Sequence, residues 1–216
     1  MHLPLPFCVL AFATIGAALS ERIYLDRLAL TYAGILLALC LGAYSLDELH
    51  GRPHHTQFSN STLWILSGSG IAGGLLIGIY LALTISMCIL ILAAIAVFFI
   101  TFYNLELLDG MFHNAASFGL SWGGISTFGG YYVQAVTVNV QSIIVAAMAS
   151  VSSVGILYLT HKFRPRELSK TLQGQISQSD LILYSRQSRK TAWTIVKLEC
   201  YTMILLAVGM IIPKLL

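Results

Sequence analysis

The chain has 216 residues, of which 57% are hydrophobic and 10% are charged. An ordinary soluble domain has roughly a quarter of its residues charged, so this composition excludes a water-soluble globular protein. The formal net charge is only +3. Because the basic residues collect in one loop between apolar segments, without a binding fold around them, nucleic acid is excluded as a partner.

Seven apolar segments follow one another along the chain. Each must satisfy its backbone hydrogen bonds internally in lipid, and this requirement predicts helices of roughly 20 residues. We therefore expect residues 1–216 to form a single transmembrane domain, an all-α polytopic helical bundle. The predicted spans are 3–20, 28–46, 62–83, 86–103, 115–135, 138–160 and 192–213.

Three longer connections, 47–61, 104–114 and 161–191, fall on the same side if the spans alternate in direction. That side carries eight of the lysines and arginines outside the spans, so the positive-inside rule predicts that it is cytoplasmic in an integral membrane protein. In the third connection, residues 181–184 are apolar. They suit either a helix lying on the membrane surface or a short hairpin.

The third span has a glycine at every fourth position, at Gly70, Gly74 and Gly78. This spacing puts all three on one helical face and predicts close packing against another helix. The alternative is close approach of a lipid-like ligand to the exposed backbone. The cysteines Cys8, Cys40, Cys88 and Cys200 show no metal-like spacing, and we expect them to be buried thiols.

Two acidic pairs follow apolar helices on the predicted cytoplasmic side. Asp47 and Glu48 come after the second span, and Glu106 and Asp109 come after the fourth. Carboxylates that converge at a membrane surface suit Mg²⁺, which takes oxygen ligands and bridges to phosphates. The alternative is that these acids only mark the points where helices leave the bilayer.

The residues around both pairs are distinctive. Residues 44–53 read Tyr-Ser-Leu-Asp-Glu-Leu-His-Gly-Arg-Pro, residues 103–114 read Tyr-Asn-Leu-Glu-Leu-Leu-Asp-Gly-Met-Phe-His-Asn, and residues 131–134 read Tyr-Tyr-Val-Gln. In these motifs the sequence resembles the UbiA superfamily of intramembrane prenyltransferases, in particular a short prokaryotic branch. The resemblance extends over roughly residues 28–216.

The resemblance implies a helical bundle around a cavity open to lipid, in a prokaryotic cytoplasmic membrane. It also implies a site for Mg²⁺ and an isoprenyl diphosphate, with a hydrophobic or aromatic acceptor. The implied metal ligands are Asp47, Glu48, Glu106 and Asp109. The implied contacts to substrate and diphosphate are Arg52, Asn104, Tyr131, Tyr132 and Gln134.

Departures from the family pattern predict a degenerate metal site. Ala115, preceded by Asn114, stands where the family has an aspartate, and Asp109 is displaced by almost two helical turns. The family commonly has about nine spans, whereas seven are predicted in this chain. We therefore expect a protein that binds a lipid, isoprenoid, quinone or pigment as a subunit of a membrane assembly with membrane-protein partners. The alternative is an active Mg²⁺-dependent prenyltransferase.

Histidines cluster in the first long connection, at His50, His54 and His55, and His113 lies in the second. Such a group could bind a transition metal or a tetrapyrrole. The alternative is that they are solvated or hydrogen-bonded loop histidines.

Overall fold

The computed structural model describes residues 4–51, 56–162 and 178–215, and every regular element in them is a helix. Two π-helical segments, Leu37–Ala43 and Leu120–Ile125, join α2 to α3 and α6 to α7 into continuous rods. The helices are α1 (Pro4–Ala18), α2 (Leu25–Leu36), α3 (Tyr44–Gly51), α4 (Asn60–Thr84), α5 (Ile89–Asn104), α6 (Ala115–Gly119), α7 (Ser126–Ala135), α8 (Val140–Lys162) and α9 (Gln178–Leu215).

Local sequence explains where several helices begin and end. The Ser59 side chain caps α4 by accepting a hydrogen bond from the Thr62 backbone amide, and Asn114 caps α6 in the same way through Ser117. These are the side chains that best satisfy the unpaired amides of a first turn. Helix α7 ends at Val136, whose φ of 54° leaves the helical region.

Four helical stretches are long and apolar enough to cross a membrane: Leu25–His50, Asn60–Thr84, Val140–Leu159 and Lys190–Leu215. Helix α1 has 15 residues and α5 has 16, so both are apolar but shorter. The α6–α7 rod carries serines, threonines and glycines in place of a continuous apolar run. Of the seven predicted spans, four therefore have the expected length and composition.

Two helices differ from their predicted bounds. Helix α3 continues to Gly51, so residues 47–51 are helical where we expected a connection. Helix α9 starts at Gln178, so residues 178–191 extend the last span as a helix where we expected a connection. Residues 181–184 belong to this helix, which rules out the hairpin. Residues 163–177 of the same connection lie outside the described residues.

Side-chain contacts define two ends of the bundle. At one end, His50 at the end of α3 meets Glu106 after α5. At the other, Gln134 of α7 bonds to Tyr24 before α2, Tyr132 bonds to Ser86 between α4 and α5, and Lys214 donates to the Ser20 carbonyl. We call these the loop end and the turn end.

Helix α1 is the most buried of the helices and packs between α7 and α9. It approaches α7 closely because Gly16 faces the Thr127 carbonyl and Gly130 faces the Ala13 carbonyl. A disulfide between Cys8 and Cys200 joins it to α9, whereas Cys40 and Cys88 are thiols on the exposed surface. The prediction of four buried thiols was therefore wrong, because apolar surroundings alone do not show which cysteines face each other.

Candidate functional site

The two acidic connections meet at the loop end. The Nε2 atom of His50 lies 3.2 Å from one carboxylate oxygen of Glu106, and Nδ1 of His113 lies 3.7 Å from the other. All three side chains are partly exposed, between 35% and 45%. The end of α3 and the connection after α5 thus share one polar cluster of His50, Glu106 and His113, which we call the His–Glu cluster.

The other predicted acids have different surroundings. Glu48 is buried, and one of its carboxylate oxygens accepts hydrogen bonds from the Thr56 amide at 2.6 Å and hydroxyl at 2.9 Å. These bonds offset the cost of burying a carboxylate and tie the connection after α3 back onto that helix. Asp47 is half-buried, and Asp109 is exposed.

The backbone after α5 is held in an uncommon conformation. Glu106, Leu108 and Asp109 have φ between 49° and 56°, followed by Gly110 at 74°. A left-handed conformation is costly for a side chain other than glycine, and it persists only where the surroundings hold it. Here the Gly110 amide donates to the Glu106 carbonyl and the His113 amide donates to the Gly110 carbonyl. The turn directs Glu106 toward the two histidines.

Aromatic rings connect the His–Glu cluster to the interior of the bundle. His113 stacks on Tyr103 with 4.5 Å between ring centroids, and its Nδ1 lies 3.0 Å from the Tyr103 carbonyl oxygen. Tyr103 contacts Phe118, which stacks on Trp122 at 4.8 Å. Tyr103 and Trp122 also line a cavity, so this row of rings leads from the polar surface into it.

The cavity has a volume of about 190 Å³ and lies between α2, α4, α5 and α7. Its walls are almost entirely aliphatic and aromatic, and Asn104 and Ser121 provide polar groups near the loop end. Along α2 and its π-helical continuation the lining runs from Leu30 to Ala43. At about 1.5 Å per residue, that wall is roughly 20 Å long. The cavity is therefore narrow and elongated, and the side chains of Asn104 and Ser121 lie near its loop end.

Both π-helical segments contribute to the cavity wall. Leu39 and Ala43 lie in the first, and Ser121, Trp122 and Ile125 lie in the second. Such segments occur frequently at functional sites.

The glycines of α4 lie against small residues of α2 and α5. A Cβ atom at Gly70 would lie 2.5 Å from the Gly42 amide nitrogen, and one at Gly74 would lie 3.1 Å from the Gly34 carbonyl oxygen. At Gly78 a Cβ atom would lie 3.0 Å from the Ala93 side chain. Gly74 and Gly78 also line the cavity. The glycine face of α4 therefore both packs closely against the neighbouring helices and lines the cavity.

Three predicted substrate contacts lie at the turn end. Gln134 accepts a hydrogen bond from the Tyr24 amide at 2.7 Å and donates to the Tyr24 carbonyl at 3.2 Å. The hydroxyl of Tyr132 is 3.2 Å from Ser86, and that of Tyr131 is 3.1 Å from Thr137. Since Tyr24 and His50 are 26 residues apart along one rod, these groups are about 35–40 Å from the His–Glu cluster. One diphosphate cannot touch both.

Other predicted site residues lie elsewhere. Arg52, His54 and His55 are outside the described residues. Asn104 lines the cavity, and its side-chain amide donates to the Ile100 carbonyl at 2.7 Å. Within the described part of the chain, no three or more His, Cys, Asp and Glu residues are grouped so as to hold a metal ion.

Sequence reasoning missed most of the cavity wall, although one signal was present. Gly34, Ala38 and Gly42 repeat at the same four-residue spacing as the glycines of α4. Two matching stripes of small residues predict that their helices approach each other closely. The alanines of α5, Ala93 and Ala96, gave no comparable signal, because isolated alanines are common in any apolar helix.

Comparisons of the chain with models of protein families, with curated proteins and with solved structures found no match.

Proposed function

We propose that this protein binds one chain-like apolar molecule of the membrane, an isoprenoid, a quinone tail or a lipid, in the cavity between α2, α4, α5 and α7. The observation that carries the proposal is the shape and chemistry of that cavity. Its walls are apolar along roughly 20 Å, apart from Asn104 and Ser121 near the loop end and from two hydroxyls, of Thr31 and Ser126, that donate to backbone carbonyls of their own helices. A molecule with an apolar chain and a polar head matches this distribution.

The head group would lie at the loop end, close to the His–Glu cluster. His50 and His113 offer ring nitrogens, and Glu106 offers a carboxylate between them. Tyr103 and Trp122 add ring faces to the cavity wall near the loop end. These groups suit a head that exchanges hydrogen bonds, such as a quinone or an alcohol.

We also propose that the protein is similar to the UbiA superfamily. In this proposal α1, α5 and the α6–α7 rod cross the membrane together with the four longer helices. The support for it is that the described helices alternate between the two ends of the bundle. Its membrane-protein partners and a cytoplasmic loop end stay predictions.

Ligand retention tests the proposal directly. The protein is purified in a mild detergent, and its bound lipids are extracted and identified by mass spectrometry. Ala96 lines the cavity, whereas Ala94, two residues away on α5, is exposed outside it. We expect Ala96→Trp to remove the bound ligand and Ala94→Trp to keep it. Equal loss in the two variants, or no stoichiometric ligand in the unmodified protein, would contradict the proposal.

A second candidate is the Mg²⁺-dependent prenyltransferase. The observation that favours it is that His50, two residues after Glu48 on α3, meets Glu106 at the loop end. Bound Mg²⁺ would neutralise the charge of a diphosphate. However, Glu48 and Glu106 already have hydrogen-bonding or ionic partners. Within the part of the chain that the structure describes, no three His, Cys, Asp or Glu side chains are grouped so as to hold a metal ion, and we derive no catalytic step.

Diphosphate release distinguishes the two candidates. We expect no release of diphosphate from geranylgeranyl diphosphate in the presence of Mg²⁺ and a quinone precursor. Turnover at about 1 s⁻¹ or faster, a rate typical of enzymes, that is lost in Glu106→Gln would establish the enzyme instead.

A further inference from the structure

At the turn end the cavity lining ends in a group of packed aliphatic side chains. Leu30, Leu81, Ile89 and Val133 line its last part, and Leu81, Ile89 and Val133 are at most 5% exposed. They belong to one hydrophobic cluster with Tyr132. We call these four residues the floor.

Polar contacts hold the floor from outside. The hydroxyl of Tyr132 lies 3.2 Å from that of Ser86, in the turn between α4 and α5, and Nη1 of Arg27 donates to the Val133 carbonyl at 3.1 Å. These contacts join α2, α7 and the α4–α5 turn directly behind the floor. A chain that reaches the floor therefore meets a packed and braced surface, and further insertion would overpack it.

We propose that the floor sets the length of the apolar chain that the cavity accepts, with the head of the ligand at the loop end. The inference rests on the proposed function. An extended chain advances about 3.3–3.6 Å for every three bonds, so a wall of roughly 20 Å corresponds to about 16–18 bonds. That length suits roughly four isoprene units, or a single fatty chain of similar reach.

A small residue of α5, Ala93, lines the cavity just above the floor, where a substitution can change the length of the cavity. Ala93 lies one helical turn from Ile89, and both line the cavity. A larger side chain at position 93 would raise the floor, whereas a smaller one at position 89 would lower it. The first change therefore shortens the cavity, and the second lengthens it.

A series of prenols of increasing length measures the length of chain that the cavity accepts. Geraniol, farnesol, geranylgeraniol and solanesol are added to the delipidated full-length protein in detergent, and their dissociation constants are measured by native mass spectrometry. For the unmodified protein we expect geranylgeraniol to bind most tightly. Solanesol should bind about tenfold more weakly, because its extra units meet the floor.

Variants then test the floor itself. We expect Ala93→Leu to move the optimum to farnesol and Ile89→Ala to remove the penalty on solanesol, while the exposed control Ala94→Leu keeps the original order. If all prenols bind but their order is the same in every variant, the floor proposal is wrong and the proposed function stands. If the unmodified protein binds none of the prenols, the floor proposal is wrong; if it also retains no lipid on purification, the proposed function is wrong as well.

Discussion

Gly70 shows how closely α4 approaches the rod formed by α2 and α3. Besides the Gly42 nitrogen at 2.5 Å, an added Cβ would meet the Leu37 carbonyl oxygen and the Leu41 Cβ, both at 2.7 Å. Two of these three atoms belong to the backbone, which cannot swing aside as a flexible side chain can. The contact therefore depends on the absence of a side chain.

We expect Gly70→Ala to lower the free energy of unfolding by about 1–3 kcal/mol, the usual cost of overpacking. Gly68 is the matched control, because it lies on the exposed face of the same helix with nothing within 4 Å of an added Cβ. Gly68→Ala should be neutral or slightly stabilising. Unfolding in a detergent–denaturant series measures both variants, and equal stabilities would mean that α4 and α2 are not in this contact.

Gly70 matters because it has no side chain, whereas Gln134 matters because of its side chain. The Gln134 amide forms hydrogen bonds with both the backbone amide and the carbonyl of Tyr24. Gln134→Leu leaves a backbone amide and a carbonyl without this partner, so we expect a loss of about 1–3 kcal/mol in stability. Ligand retention at a temperature where the variant stays folded should not change. A loss of ligand without a loss of stability would instead support the predicted substrate contact. Gln187→Leu, at an exposed position, is the control.

At the scale of the helices, α9 is held against α1 by the disulfide between Cys8 and Cys200. Both positions are buried in one hydrophobic cluster with Phe12 and Val196. The disulfide therefore fixes the last helix to the first, across a sequence separation of 192 residues.

Alkylation in denaturant tests this pairing. With no reductant, we expect the mass of the unfolded protein to increase by two alkyl groups, one each at Cys40 and Cys88. After reduction it should increase by four, because Cys8 and Cys200 then react as well. Four reactive thiols before reduction would show that the two helices are not covalently joined.

The helices were more predictable from the sequence than their partners. Apolar runs such as residues 62–83 have only one stable form in lipid, so α4 was predicted within two residues at either end. The start of α9 was not, because the polar residues 178–191 look like a connection when read alone. Alternating helices predicted that the regions of His50 and Glu106 lie on the same side, but the contact between these two side chains was not predicted.

The role of the Tyr-Tyr-Val-Gln motif could not be predicted in the same way. Residues on one rod can serve either end of the bundle, and only the contacts of Gln134 with Tyr24 show which end they occupy. The cavity was equally hidden, since its walls combine residues from four helices that the sequence does not align with each other. The sequence therefore did not predict which helices, far apart along the chain, pack against each other.

At the scale of the molecule, the alternation of helices places the connections on defined sides. Gln57 before α4, Asp109 after α5 and Gln187 near the start of α9 are all exposed. Each belongs to the loop end, whereas the thiol of Cys88 lies at the turn between α4 and α5. The positive-inside rule predicts that the loop end is cytoplasmic.

An impermeant maleimide applied to intact cells tests this topology. In a Cys40→Ser background we expect native Cys88 to be labelled. Cysteines introduced at Gln57, Asp109 or Gln187, with Cys88 also replaced by serine, should react only after the cells are opened. Labelling of Gln187→Cys in intact cells would put α9 in the opposite direction and contradict the alternating bundle.

A density map of the protein in a lipid nanodisc shows directly whether one apolar chain occupies the cavity. We expect a continuous, elongated feature between α2, α4, α5 and α7. Its wider end should lie beside Asn104 and its narrow end against Ile89. Helices that close together and leave no space between Gly74, Ala96 and Trp122 would contradict the claim.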